Sequence, residues 1–290
     1  MNPVLQLSGL TKVYRSGILG SKRVPAIRGI TLEIQAGEIL AVLGLNGSGK
    51  TTLTKCVLDL VRPTSGSSWL LGIPSWASGW RARVGYLPET SVMPAGSDPT
   101  KFLRLVAGVK GCRREEEEIT FWLKKLALAG PTQSVLSKGM SRRVYLAAAL
   151  LGQPELIFLD EPSDGLDPAG RREVRQLLLE AKERGASVVL NSHLLSEVEH
   201  LADRVAILRR GELVVEGRLA ELTLSENGHR IVARGNGRRE RGHGKTTTYS
   251  TVSTVETDRM LRKLEREGFT GAEVLPRRLS LEEVFDLYAL

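Results

Sequence analysis

The sequence predicts an α/β fold: a mixed sheet with a parallel core and an antiparallel β subdomain, an inserted helical subdomain, and a small C-terminal α+β appendage. Three observations predict it. Short runs rich in Val, Ile and Leu recur at Ile39–Leu43, Val84–Leu87, Leu156–Leu159, Ser187–Leu190 and Val205–Leu208, separated by helically periodic stretches. That is the pattern of strands buried on both faces of a parallel sheet. Val4–Leu7 and Ile30–Ile34 instead alternate apolar and polar residues, as antiparallel strands with one wetter face do. Between Asp98 and Ala129 the strand pattern gives way to two helical stretches, after which the strand and helix alternation resumes.

A chain of 290 residues exceeds one typical domain of about 150 residues and suits a large domain with a smaller one. Hydrophobic residues at 41% and charged residues at 26% exclude wholesale disorder and a fibrous repeat. The longest apolar stretch, Val144 to Gly152, is far short of the roughly 20 residues of a membrane-spanning helix. No apolar signal segment opens the chain, so a cytoplasmic protein is expected. Cys56 and Cys112 lie in no CxxC or Cys/His cluster, which argues against a disulfide framework or a zinc site. The formal charge of +8 suits a nucleic-acid binder and a protein beneath an anionic membrane leaflet equally well.

Within the helical insertion, the acidic run Glu115–Glu118 reads as a solvated face. The texture changes after about Arg218, so a first domain is expected over residues 1–217, its helical subdomain at about 90–150, and an accessory domain over 218–290. Residues 235–250 are glycine-rich and basic, as a linker or an exposed hairpin would be. Ser280 with Glu283 forms a capping box, and Leu281, Val284, Phe285 and Tyr288 then share one face of a terminal helix. Arg15 to Pro25, longer than a tight turn, reads as a basic loop.

Gly44-Leu45-Asn46-Gly47-Ser48-Gly49-Lys50-Thr51 matches G-x-x-x-x-G-K-[ST] between the strand Ile39–Leu43 and a helical pattern running to Leu60. This strand, loop and helix order is that of a P-loop NTPase. The glycines let backbone N–H groups and the helix N-terminus face phosphates, Lys50 neutralises β/γ charge, and Thr51 ligates Mg²⁺. Gly44, Asn46, Gly47, Ser48, Gly49, Lys50, Thr51 and Thr52 are therefore candidate nucleotide ligands. Farther on, Asp160 and Glu161 end a buried apolar strand, where Asp160 can hold Mg²⁺ through water and Glu161 can polarise an attacking water.

Leu136-Ser137-Lys138-Gly139-Met140 resembles the LSGGQ signature of the ATP-binding cassette (ABC) ATPases. Pro162-Ser163-Asp164-Gly165-Leu166-Asp167-Pro168 resembles the D-loop of that family, and Asn191-Ser192-His193-Leu194 its switch-histidine segment. Leu279 to Phe285 also looks like the ending of many bacterial exporter ATPases. The resemblance implies ATP and Mg²⁺ as ligands, His193 as a γ-phosphate sensor, Tyr14 stacked on adenine, and Glu89 near Mg²⁺ and the membrane partner. It further implies that Ser137 and Gly139 of another copy cover each ATP and that Asp167 links the two sites. The partners so implied are a second ATPase subunit, identical or paralogous, and a permease on a separate chain holding the protein to the inner face of the membrane.

Three positions depart from the family pattern: Glu89 stands for Gln, Lys138 for Gly and Met140 for Gln. They leave open a regulatory subunit with a degenerate ATPase, against which Lys50, Asp160, Glu161 and His193 all stand intact. A soluble ABC ATPase acting on nucleic acid or the ribosome is the other alternative, with Arg238, Arg239 and Arg241 as phosphate contacts. The single cassette, and the short interval from Lys50 to Ser137 with no room for a coiled-coil arm, disfavour nucleic acid as a partner.

Overall fold

The computed structural model describes residues 3–16, 22–128, 136–235, 245–250, 254–267 and 271–289. They form two compact units, Met1–Gly217 with Tyr288–Leu290, and Arg218–Leu287. No helix among the described residues is long and apolar enough to cross a membrane.

The first unit holds a six-stranded sheet of β3 (Ile39–Leu43), β6 (Val84–Leu87), β7 (Leu156–Asp160), β8 (Ser187–Asn191), β9 (Arg204–Arg209) and β10 (Glu212–Arg218), ordered β10-β9-β3-β8-β7-β6. Strands β3, β7 and β8 are buried at every residue, which explains their unbroken apolar runs. Their parallel register places Val42 and Asp160 on either side of Asn191. The carboxyl ends of three central strands are thus level at one edge, where ligands bind in open α/β sheets.

A second, antiparallel sheet joins β1 (Leu5–Ser16), β2 (Lys22–Ile34), β4 (Ser65–Leu70) and β5 (Ile73–Pro74) in the order β2-β1-β4-β5. The basic loop expected over Arg15 to Pro25 is mostly strand, because Arg15 pairs with Arg23 and Val13 with Pro25. Pro25 is tolerated because β2 is an edge strand, where a missing N–H leaves no ladder bond unmade. Only 17–21 of that segment lies outside the described residues. Leu5, Leu7, Leu10, Ile27 and Ile30 pack with Leu40, Val42, Phe158 and Val189 in one core that joins the two sheets.

The helical insertion follows β6. Helix α2 (Pro99–Lys110), numbered after α1 (Lys50–Val57), is capped by the Asp98 carboxylate, which accepts from Thr100 N at 2.8 Å, and closes at left-handed Gly111. Helix α3 (Glu115–Lys125) carries the acidic run, which is not merely a solvated face. Glu116 pairs with Arg104, and Glu118 accepts from Gly152 N at 2.7 Å. Carboxylates in a first helical turn are favoured there by the helix dipole and are well placed to cap a neighbouring chain end. Helix α4 (Lys138–Leu150) meets α2 through Phe102 and Tyr145, with ring centroids 5.2 Å apart. The Lys110 ammonium donates to the carbonyls of Ala148, Ala149 and Leu151 at 3.2, 3.2 and 2.8 Å, closing the end of α4.

After α5 (Pro168–Glu183), α6 (Leu195–Glu199) and α7 (Leu219–Leu222), the second unit builds a three-stranded antiparallel sheet. Its strands β11 (Leu224–Gly235), β12 (Lys245–Ser250) and β13 (Gly271–Arg278) take the order β12-β11-β13. Helix α8 (Thr254–Arg266) packs Leu264 on Ile231. Of the linker or hairpin expected here, the last part forms the hairpin, since Lys245 to Ser250 pair antiparallel with Arg230 to Gly235. The β-branched run Thr246-Thr247-Thr248 favours that outcome over its polarity. The rest of it, 236–244, with the Arg238, Arg239 and Arg241 cluster, lies outside the described residues. The capping box ahead of α9 (Leu281–Ala289) is made: Ser280 N donates to Glu283 Oε2 at 2.9 Å and Glu283 N to Ser280 Oγ at 3.2 Å.

Burial pushes the Lys110 amine down from 10.5 to about 8. The unfolded chain then binds more protons than the folded one between those values, so stability rises with pH across that window. Denaturant unfolding of the wild type from pH 7 to 10.5 shows this rise, and Lys110→Met lacks it; equal pH slopes in the two proteins exclude the effect.

Candidate nucleotide site

The phosphate loop leaves the buried end of β3 and enters α1 with Gly49 in the left-handed region at φ 112°. At Gly44 a Cβ would lie 2.4 Å from the Leu208 carbonyl oxygen, and at Gly49 2.5 Å from that of Ala26. Only glycine allows the backbone to wind this tightly. Its turn lays the Lys50 side chain back along the loop, where Nζ donates to the carbonyls of Gly44 and Leu45 at 2.6 and 3.4 Å. Lys50 is 9% exposed. Burial lowers its pKa, and the nearby carboxylates of Glu161, Glu89 and Asp160 oppose that shift.

Beside this amine lies a cavity of about 280 Å³ lined by Asn46, Gly47, Ser48, Gly49, Lys50, Thr51, Thr52, Glu89, Asp160 and Glu161, together with Ala26 and Asn191. Ser48 Oγ is buried there with no hydrogen-bond partner, a polar atom that a phosphate oxygen would satisfy. Asp160, 1% exposed, accepts from Tyr86 Oη at 3.2 Å and from the Asn191 amide, which also donates to Thr54 Oγ1 at 2.9 Å. Burial raises the Asp160 carboxyl above its usual range, while the Asn191 and Tyr86 bonds hold it down. Burial, then the Asp160 charge, pushes the Tyr86 hydroxyl well above its ordinary value, so it stays a donor.

Glu161 has a backbone φ of 52°, a left-handed conformation that costs a non-glycine residue roughly 1–3 kcal/mol. The Glu161 N–H donates to the Asn191 carbonyl at 2.8 Å. Its Oε2 accepts from the backbone N of His193 at 3.2 Å and lies 2.7 Å from His193 Nδ1. Thr51 Oγ1 lies 3.5 Å from Glu89 Oε2. Among the described residues no three His, Cys, Asp or Glu side chains converge as a metal cage. The all-oxygen set of Thr51, Glu89 and Asp160 fits Mg²⁺, which keeps waters and completes its shell from substrate phosphates.

Of the expected residues, Gly44 opens the loop and His193 touches Glu161 without lining the cavity, and Tyr14, Ser137, Gly139 and Asp167 stand apart from it. Tyr14 is 38% exposed on β1 with the Lys12 ammonium 5.0 Å from its ring centroid. Ser137 caps α4, its Oγ accepting from Met140 N at 3.1 Å, and Asp167 caps α5, accepting from Gly170 N at 2.8 Å. Gly139 lies against the Gly165 carbonyl and Leu166. These three form a second cluster, in which Lys138 Nζ also meets Asp164 Oδ2 at 2.8 Å. Ala26, Tyr86 and Asn191 join the site beyond the residues expected from sequence. Asn191 and Tyr86 carry a usable signal, since each sits at or near the end of a strand next to Asp160.

Residues 27–164 match the ABC transporter family profile. An uncharacterized ABC transporter ATP-binding protein from Nostoc sp. is 41% identical over 235 residues, 79% of this chain and 70% of that one. The chain belongs to the ABC transporter ATP-binding proteins. The Nod factor export ATP-binding protein I of Rhizobium meliloti is 32% identical over 297 aligned positions, covering 97% of this cassette chain and 86% of its own. A solved dimeric bacterial ABC transporter cassette superposes with a TM-score of 0.66 at 25% identity, over 74% of this chain and 98% of that one.

The Lys138 hydrogen bond holds the Asp164 carboxyl below its usual range. Its contribution to folding is present above the unfolded carboxylate pKa and is lost as pH falls through the lowered one. In the Lys138→Gly cassette, carboxyl-carbon NMR finds Asp164 titrating at higher pH than in the wild type; an unmoved midpoint excludes the pair in solution.

Proposed function

We propose that this cassette hydrolyses ATP in a head-to-tail dimer to drive export through a permease on a separate chain. The observation that carries the reading is that one copy holds Lys50, Thr51, Asp160 and Glu161 around a cavity, while Ser137, Gly139 and Asp167 lie outside it. A second copy can supply that missing wall. Phosphoryl transfer to water needs positioning and charge neutralisation more than covalent chemistry, so a site split between two chains is switched by assembling it.

In this mechanism the Gly44–Thr51 backbone and the Lys50 ammonium receive the β- and γ-phosphates, and Thr52 and Asn46 flank them. Thr51, Asp160 and Glu89 would hold Mg²⁺, which would supply neutralising charge to the phosphate oxygens. Glu161 accepts a proton from the attacking water as the water oxygen bonds to the γ-phosphorus and the bond to the β–γ bridging oxygen breaks. ADP and phosphate are the products. His193, whose Nδ1 meets Glu161 Oε2, responds to the γ-phosphate. Tyr14 stacks on the adenine after Lys12 yields its face.

The helical insertion and the Glu89 loop grip the cytoplasmic helices of the permease, which keeps the cassette at the inner face of the membrane. Leu105 and Val109, four positions apart on one face of α2, are both exposed and support this, because adjacent large apolar side chains on a surface suit a partner. Export as the direction of transport is supported by the relative from Rhizobium meliloti, whose name specifies it.

Two measurements on purified full-length protein test the reading. Glu161→Gln retains Mg-ATP binding, accumulates as an ATP-bound dimer in size-exclusion chromatography with light scattering, and loses at least about 100-fold in kcat. A wild-type chain that neither turns over ATP nor dimerises with Mg-ATP sinks the proposal. So does a Glu161→Gln variant as active as the wild type.

A further inference from the structure

Helix α4 carries an arginine that none of the steps above uses. Arg142 is 3% exposed, although arginine is among the residues least often buried. Among the described residues its guanidinium bonds no carboxylate. Nη1 donates to the carbonyls of Pro88 and Glu89 at 2.9 and 2.7 Å and to Ser91 Oγ at 2.7 Å, while Nη2 donates to the carbonyls of Asp160 and Glu161. Burial lowers its pKa, and the charges of Asp164, Glu161, Asp160 and Glu89 oppose that shift.

These acceptors belong to two separate segments. Pro88, Glu89 and Ser91 follow β6, and Asp160 and Glu161 end β7. Three of the five residues whose atoms accept are the carboxylates of the nucleotide cavity, Glu89, Asp160 and Glu161, and Arg142 holds each of them by its backbone. The effect is sharpest at Glu161. That residue sits at φ 52°, and a strained backbone persists only where its surroundings over-determine it. Asn191 O fixes its N–H, and Arg142 fixes its carbonyl. Without the guanidinium, the peptide after Glu161 is released on one side and the strain can relax by rotating the carboxylate away from the water it serves.

We infer that Arg142 is a positioning residue for hydrolysis, clamping the Glu89 loop and the Asp160–Glu161 strand end to the signature helix so that the three move as one piece. This rests on the ATPase reading above. Arginine is required because its planar fork reaches acceptors on two segments at once; a lysine presents one nitrogen and cannot. A core arginine kept for packing alone would have no reason to gather the backbone of all three carboxylates.

The test uses the full-length protein with steady-state ATPase assays and fluorescent-ATP titration. Arg142→Lys is expected to fold, bind nucleotide with a Kd within about twofold of wild type, and lose at least about tenfold in kcat, because a displaced catalytic group costs rate before it costs binding. In Arg142→Ala, millimolar guanidinium restores part of the lost rate, and equal urea or sodium chloride does not. Arg142→Lys with wild-type kcat overturns the inference. A parallel loss of kcat, nucleotide affinity and melting temperature in Arg142→Lys also overturns it, assigning Arg142 to core packing; if Arg142→Ala does not fold, Arg142→Lys decides alone. Active wild type with inactive Glu161→Gln upholds the ATPase reading whichever way Arg142 falls, whereas inactive wild type defeats that reading first.

Discussion

Three parallel strands, β3, β8 and β7, end level at one edge of the sheet, and the hydrogen bonds of Asn191 are what that alignment makes available. Its register neighbours are Val42, two residues before the phosphate loop, and Asp160. From this position the side-chain amide reaches the Asp160 carboxylate and Thr54 on α1, and the backbone carbonyl takes the Glu161 N–H. A slip of one residue in β8 would turn this side chain to the other face. Helix α1, the Asp160 carboxylate and the strained peptide of Glu161 would then lose their common partner.

Charge explains why that partner has to be neutral. Glu89, Asp160 and Glu161 crowd one cavity with Lys50 as the lining cation, and burial weakens the protonated form of Lys50. An amide can hold Asp160 without adding a second buried cation beside Lys50. Arg142 brings its charge to the same carboxylates from behind, through their backbone carbonyls. Its field offsets repulsion among them while the oxygens facing the cavity stay open to substrate.

The sequence made the parallel core legible because strands buried on both faces cannot hide: Ile39–Leu43 and Leu156–Leu159 are apolar throughout. The cavity was legible for a different reason. Glycine at positions 44 and 49, a lysine and a strand-end carboxylate pair are each demanded by backbone approach or charge, and the structure brings Lys50, Thr51, Glu89, Asp160 and Glu161 together. Less readable were elements whose state depends on a partner strand. Residues 15–16, 22–25 and 245–250 look like loop because they are charged or polar, yet cross-strand pairing overrides that local preference. Arg142 was illegible in principle, since its acceptors are carbonyls, which every residue has.

Helix α4 gives the two clusters on this chain a mechanical relation. Ser137 at its cap belongs to the cluster of Gly139, Gly165 and Leu166, while Arg142, roughly one turn and a half farther along, grips the carboxylate strand end. A rigid helix cannot shift its first turn and leave the second where it was. A displacement at the Ser137–Gly139 end of α4 therefore reaches Glu161 through the helix and one guanidinium, with no rearrangement of the sheet. Lys138 adds to this rigidity by bonding Asp164, three positions beyond Glu161. Lys138, where this chain departs from the family signature, thus joins the first turn of α4 to the loop that follows Glu161, and the signature end of that helix acquires a short, stiff path to the carboxylate strand end.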